Sequence, residues 1–556
     1  MPTSRPTFAA AAVSSPQPLD SLAPRPRRHR WHRPVAALLA AALLLPALHL
    51  PAHAQVRLPA LGESASRDLS VGDERRLGEQ IMREARRDPV YLDDPVLLEY
   101  LQSIWNPLVA AARQVGQIDH DTDQLFAWET FLVRDRSVNA FALPGGFVGA
   151  HLGLIAITTT RDQLASVMAH ELSHVTQRHI ARSIAPQQQA SLIAVATILL
   201  GIIAASRANN ADLANAAIMG GQGAAIQTQL NFSRDMEREA DRIGYGLLGL
   251  AGFAPAGQAQ MFDRMDAATR LSDNGGFPYL RSHPLTIDRI SEARSRTLLG
   301  DNRASQPTLQ HVLMQMRARV LMDESVTGLQ RLSGSTSSPA LADRVAALYG
   351  GAMAASLLKE HDRAERQVAL ALQLAATAVP REPGAERALR LLQAQVLLSA
   401  GDAAGALQVL DTLGAGNERP ALLLRTQSAL RLHDSKPEAA AEPLRRNVEN
   451  LQTWVSEQKN DAAAWELLAS GSEALGLKLR ALRAGAEARA AVGDLTGAID
   501  RLRRAQAASR GPGPTDFIEA SVIDARLRQL QQQRRELAAE MRGEGRGGPP
   551  PGEGPN

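Results

Sequence analysis

Apolar residues recur at three- and four-residue spacings along most of the chain, the period of a helix with one buried face. Val71 to Met82 carries Leu77, Ile81 and Met82 on such a face and predicts a first amphipathic helix. A second follows Asp94 and Pro95, with Leu97, Leu98, Leu101, Ile104 and Leu108 in one stripe. Between residues 125 and 157 the pattern shortens. Phe131–Val133, Ala140–Leu143 and Phe147–Ile155 predict short strands, with Pro144, Gly145 and Gly146 turning the chain between the last two. Thr160 then offers an N-cap hydroxyl to a further helix, in which Leu164, Met168, Leu172 and Val175 share a face.

From about residue 305 the strands stop, and helices rich in Ala, Leu and Arg follow one another. Leu397 to Leu407 and Ala490 to Ile499 resemble each other: each has Gly-Asp (Gly401-Asp402, Gly493-Asp494) followed four residues later by a small Ala (Ala406, Ala498). Leu357 to Ala364 is a looser copy, and Trp465 opens another helix pair. A helix ending in Gly-Asp, then a second helix packed through Ala, is the signature of tetratricopeptide-type pairs. The expected architecture is mainly α within an α+β class. A domain with a small sheet occupies 71–300, and an α-helical tetratricopeptide-like repeat domain occupies 305–542. The last predicted helix starts at Phe517, and the Gly/Pro-rich tail 543–556 has the composition of a disordered segment.

Composition adds constraints. The 556 residues include no cysteine, so any metal must be held by His and carboxylates. The formal charge is only +3, and Arg25, Arg27, Arg28, Arg30 and Arg33 concentrate positive charge near the start. The basic balance therefore gives little reason to expect nucleic-acid binding. That cluster precedes an apolar run from Val35 to Leu50 and then Ala52-His53-Ala54, a small-x-small cleavage pattern. Together they predict a signal peptide over 1–54, cleaved near Ala54, a linker over 55–70, and export to the periplasm of a Gram-negative bacterium. Pro46 interrupts the run, which is shorter than the roughly 20 residues a membrane span needs. A second apolar run, 192–205, reads as a buried helix, with a substrate lid or a peripheral membrane contact as alternatives.

The chemistry is carried by His170-Glu171-Leu172-Ser173-His174. Residues four apart lie on one helical face, so both imidazoles can meet one metal ion. Zinc acidifies a water to a pKa of about 7, and Glu171 can take that water's proton as it attacks a peptide carbonyl and return it to the leaving amine. A catalytic zinc needs three protein ligands. The segment Phe232 to Gly244 offers the third: on a helix Glu237 and Asp241 share a face, whereas Glu239 points nearly the opposite way. Glu237 is the expected ligand. Asp241 is expected to hold the tautomer and orientation of a ligand His.

With the export signal, the motif through His179, the Glu237-x-x-x-Asp241 helix and the helical tail, the chain resembles the periplasmic β-barrel assembly-enhancing proteases. These sit within the gluzincin family that includes HtpX and the CAAX prenyl proteases. The resemblance implies one Zn2+ per chain and an endopeptidase that clears misassembled outer-membrane proteins. It also implies repeats that bind substrate or the β-barrel assembly machinery. By the same resemblance Phe147, Val148, Gly149, Ala150 and His151 form the edge strand beside the zinc, open to an extended substrate. Ser282-His283-Pro284-Leu285-Thr286-Ile287-Asp288-Arg289 also matches. Two roles for His283 are open, stabilising the oxyanion or closing the fourth zinc position in a resting state. His179 reads as structural. Two other classes remain: a chaperone or scaffold with a latent protease, and a metal hydrolase of cell-wall amides.

Overall fold

A computed structural model describes residues 69–183, 232–271, 277–299, 303–334, 339–414, 416, 418–510 and 516–544. The expected signal peptide, almost all of the linker, the apolar run 192–205 and most of the tail lie outside these residues.

Capping chemistry sets the first helices. Ser70 accepts a hydrogen bond from the Asp73 amide and starts α1 (Val71–Ala85); Asp94 does the same for the Leu97 amide and starts α2 (Pro95–Gln114). After β1 (Tyr91–Leu92) and the short α3 (His120–Leu125) come β2 (Glu129–Val133), β3 (Ala140–Leu143) and β4 (Phe147–His151). The sheet runs in the order β1-β2-β4-β3, with β4 parallel to β2 and antiparallel to β3. Alternation along the strands splits the side chains between two faces. Phe131, Val133, Leu143 and Phe147 pack with Leu77 and Ile81 of α1. Leu132, Ala140, Ala142, Val148 and Ala150 turn to the main core.

This order corrects one expectation. The strand Phe147–His151 is interior, paired on both sides and buried throughout, so Phe147, Val148, Gly149, Ala150 and His151 do not form an open edge. The edge is β3. The strand also ends at His151, because Leu152–Ile157 is a helix, α4. A short apolar run fits a buried strand or a buried helix equally well, and only its neighbours decide which forms.

The helices that build the site follow: α5 (Arg161–Thr176), α6 (His179–Ser183), α7 (Arg234–Leu250), α8 (Ala256–Leu271), α9 (Tyr279–Ser282) and α10 (Ile287–Leu299). The rest is helical. It comprises α11 (Leu309–Met322), α12 (Val326–Gly334), α13 (Leu341–Leu357), α14 (His361–Ala375), α15 (Pro383–Ser399) and α16 (Ala403–Asp411). It continues through α17 (Arg419–Ser435), α18 (Pro437–Glu457), α19 (Ala462–Ala474), α20 (Lys478–Ala491), α21 (Leu495–Ser509) and α22 (Phe517–Glu544). Successive helices pack on one another. Gly401 and Gly493 follow α15 and α20 in the left-handed region, at φ +92° and +78°, where a side chain would be strained. Asp402 and Asp494 then cap α16 and α21, and Ala406 and Ala498 are fully buried.

The core does not stop near residue 300; one buried cluster runs from Leu69 to Leu424. Buried polar contacts cross the same join. Asp94 receives two 2.7 Å hydrogen bonds from Arg317 of α11. His311, also on α11, is 2.6 Å from the Tyr100 hydroxyl and 3.0 Å from the Thr158 carbonyl. Burial pushes the His311 imidazole down from 6.5 to about 4. The unfolded chain therefore takes up this proton at a higher pH than the folded chain. The stability that His311 contributes is present above about pH 6.5 and disappears as the pH falls toward 4, a loss of about 3 kcal/mol. Denaturant unfolding of wild type and His311→Gln across this window should show a shallower pH dependence in the variant.

Candidate active site

Helix α5 is the scaffold. The Thr160 hydroxyl accepts from the Gln163 amide at 3.2 Å, and every residue from Gln163 to Val175 is buried. The one-sided apolar pattern had suggested an amphipathic helix. Here the polar face is covered too, because α7 and α8 pack on α5 along with α2 and β3. Gly244 permits the approach of α7: a Cβ there would lie 3.2 Å from the backbone of Ala169 and His170.

Four side chains converge in that covered space. His170 Nε2 and His174 Nε2 are 3.0 Å apart, as their spacing of four on one helix allows. Glu237 of α7 reaches both, with Oε2 3.4 Å from His170 Nε2 and Oε1 3.4 Å from His174 Nε2. His283, just after α9, places Nδ1 2.8 Å from Glu237 Oε1 and 3.2 Å from His170 Nε2. One ligand atom from each of the four lies within 4.8 Å of the others, and all four residues are buried.

A carboxylate and an arginine stand behind this centre. Asp241 Oδ1 is 3.0 Å from His170 Nδ1. Arg289 of α10 donates twice to Asp241, at 2.6 and 2.9 Å, once to the Pro284 carbonyl at 2.9 Å, and pairs with Glu237 at 2.9 Å. Arg289 thus ties α7 to the loop that carries His283. On the other side His179 Nδ1 lies 2.8 Å from His174 Nδ1, and His179 Nε2 lies 3.1 Å from Glu239, which pairs with Arg182. Rings close the walls: Tyr279 stacks on His283 and Phe232 on His174, with centroids 4.6 and 4.0 Å apart.

The electrostatics follow from this packing. Burial lowers the affinity of His170 for a proton, but Glu237 and Asp241 outweigh it and raise the imidazole to about 10. Burial holds His174 well below the ordinary range. Burial opposes ionisation of Glu237, yet the neighbouring His283 and His170 hold it well below the usual carboxylate range. Glu171 differs. Burial raises it, and its Oε2 accepts a 3.1 Å hydrogen bond from the Ala142 amide on β3. Its other oxygen is 3.6 Å from His283 Nε2.

The donor set fits a divalent cation. A cation here would replace the Nε2 proton of His170, whose Nδ1–H stays on Asp241, and would meet a lone pair on Nε2 beside His174 and His283. Converging lone pairs and a carboxylate repel one another unless a positive charge sits among them. The buried Glu171 Oε1 has no hydrogen-bond partner among the described residues, and Glu237 Oε2 is met by the Arg289 guanidinium at 2.9 Å. Three nitrogens and a carboxylate oxygen suit zinc.

Of the residues selected from sequence, His170, Glu171, His174, Glu237, Asp241 and His283 lie together. The strand Phe147–His151 does not line the centre as an edge, and His151 Nδ1 is instead 3.0 Å from the Ser137 hydroxyl. The sequence assigns no role here to Ala142, Tyr279 or Phe232; it contains Arg289 in the motif from Ser282 and His179 as a structural residue, without their contacts to Asp241 and to His174 and Glu239. The five-residue step from His174 to His179 was visible, but an unbroken helix would have separated them.

Comparison with known proteins agrees with this geometry. Residues 99–297 match peptidase family M48. The chain is 30% identical over 499 residues to the beta-barrel assembly-enhancing protease of Escherichia coli K12, covering 90% of this chain and 96% of that one. Its counterpart in Yersinia pestis is 29% identical over 505 residues, covering 90% and 98%. The mitochondrial metalloendopeptidase OMA1 of Schizosaccharomyces pombe is 29% identical over 276 residues, covering 49% and 73%. With the residues of a metal centre buried around a glutamate, and with full-length relatives of this kind, the chain belongs to peptidase family M48 and is a metalloendopeptidase.

Proposed function

We propose that this chain is a zinc-dependent endopeptidase of the periplasm that degrades misfolded or misassembled outer-membrane proteins. In this reading 71–300 is the peptidase domain, and the helices of 305–542 recruit substrate or the assembly machinery. The observation that carries the reading is the convergence of His170, His174, Glu237 and His283 beside Glu171. A cation held there supplies Lewis acidity toward a peptide carbonyl and makes water more acidic. Glu171 does the proton work. Its Oε2 is anchored on Ala142 N–H, so Oε1 is left to take the proton of the attacking water and deliver it to the leaving amine.

Strand β3 supplies the substrate edge. His151 N donates to Asn139 O, so by antiparallel alternation Asn139, Phe141 and Leu143 serve β4 while Ala140 and Ala142 turn their main-chain groups away from it, the Ala142 N–H to Glu171 and the Ala142 carbonyl and both Ala140 groups toward the open side. An extended chain can pair there with little regard to its side chains. The names of the full-length relatives support substrates connected with β-barrel assembly. A cavity of about 660 Å³ lined by Glu473, Lys478, Arg489 and Arg501 lies on the helices proposed for recruitment. The export signal supports the periplasm, and no helix among the described residues is long and apolar enough to cross a membrane.

His283 favours a second reading, a chaperone or scaffold whose protease is latent. Its ring sits among the ligand atoms, the placement expected of a fourth ligand in a closed site. The test is cleavage of an unfolded β-barrel protein by residues 55–556. Chelator should abolish cleavage and zinc should restore it. Full cleavage after the metal is stripped would sink the proposal.

A further inference from the structure

His170 and His174 each bond through the ring nitrogen that faces away from the centre, but to different groups. His170 is held directly by a carboxylate, Asp241, backed by Arg289. His174 is held by another imidazole, His179, whose far nitrogen meets the Glu239 carboxylate backed by Arg182. Both chains run from imidazole to carboxylate to arginine, and the second has one extra ring.

The hydrogens can be placed by elimination. Glu239, ionised beside Arg182, only accepts, so His179 Nε2 carries a hydrogen. A neutral His179 then has a lone pair on Nδ1, and His174 Nδ1 must donate to it. That fixes the lone pair of His174 on Nε2, the atom 3.0 Å from His170 Nε2.

The backbone is shaped for this contact. On a continuous helix a residue five positions on lies about 140° around the axis, so its ring could not meet His174. The helix breaks at Gln177 and Arg178, and Arg178 takes φ +51°, a conformation a bulky side chain rarely adopts. Arg178 is held in it by Glu74, at 2.8 Å, and by the Leu69 carbonyl, at 2.5 Å, both buried contacts. The break starts α6, which turns His179 back onto His174.

We infer that His179, fixed by Glu239 and Arg182, is a positioning residue that presents His174 Nε2 to the metal. This rests on the metal centre proposed above. Removing such a supporting contact typically weakens metal binding by about 10- to 100-fold. The experiment is zinc affinity of the full mature chain, by competition with a chromogenic chelator, for wild type, His179→Ala, His179→Gln and Glu239→Ala. The metal-free thermal midpoint of each protein would be recorded alongside. His179→Ala and Glu239→Ala should each lose about 10- to 100-fold in affinity. His179→Gln should recover much of it, because its amide can accept from His174 and donate to Glu239. If His179→Ala does not fold, Glu239→Ala decides, since that carboxylate lies near the surface. Wild-type affinity in Glu239→Ala and His179→Ala, with only the metal-free midpoint lowered, would overturn the inference and leave the metal centre standing. A wild-type chain that binds no zinc would overturn both.

Discussion

Glu171→Gln is expected to lower kcat for peptide cleavage by about 10²- to 10⁴-fold, the usual contribution of a positioned general acid–base group. Glutamine keeps the size of the side chain, and its carbonyl oxygen can still accept from the Ala142 amide. What it cannot do is take a proton. Glu171 is buried, with its carboxyl raised above the usual range, which suits a group that must hold a proton between attack and departure of the amine. Zinc content should match wild type, because the cluster of ligand atoms excludes Glu171. The measurement is kcat on an unfolded protein beside metal content per chain. Activity within a few-fold of wild type at equal zinc content would remove Glu171 from the proton-transfer role.

His283→Ala is expected to raise activity by about tenfold or more, if the open state is populated a tenth of the time or less. His283 Nδ1 lies as close to Glu237 and His170 as a ligand to the same ion would, so it competes with water and substrate for the remaining position. Tyr279 stacks on the ring, and Arg289 holds the following Pro284 carbonyl, so the closed arrangement is braced on two sides. His170, His174 and Glu237 remain to bind zinc in the variant. Steady-state cleavage by wild type and His283→Ala at saturating zinc makes the comparison. A fall instead of a rise would assign His283 to oxyanion stabilisation, for which its Nε2, 3.6 Å from Glu171, is also within reach. The double variant His283→Ala/Glu171→Gln should be silent, which separates release of a latch from a new activity.

The sequence by itself determined the chemistry that is local. The spacing of His170 and His174 places two imidazoles on one face because a helix repeats every 3.6 residues, and the same period joins Glu237 to Asp241. Gly401-Asp402 and Gly493-Asp494 marked helix ends because each needs a left-handed residue followed by a capping oxygen, both properties of the residue type. The tertiary structure decided whatever depends on partners distant in the chain. Which strand lies at the sheet edge is set by pairing order. Phe147–His151 reads as a strand either way, and only its position between β2 and β3 removes it from the edge. Leu152–Ile157 became a helix through its surroundings. Arg289 belongs to the site because the fold carries α10 back over α7, and its charge is unremarkable until Asp241 lies beside it. The role of His179 needed a break in the helix held by Glu74, about a hundred residues earlier. Hydrogen-bond periodicity is written into neighbouring residues, whereas burial and electrostatic pairing exist only once distant segments meet.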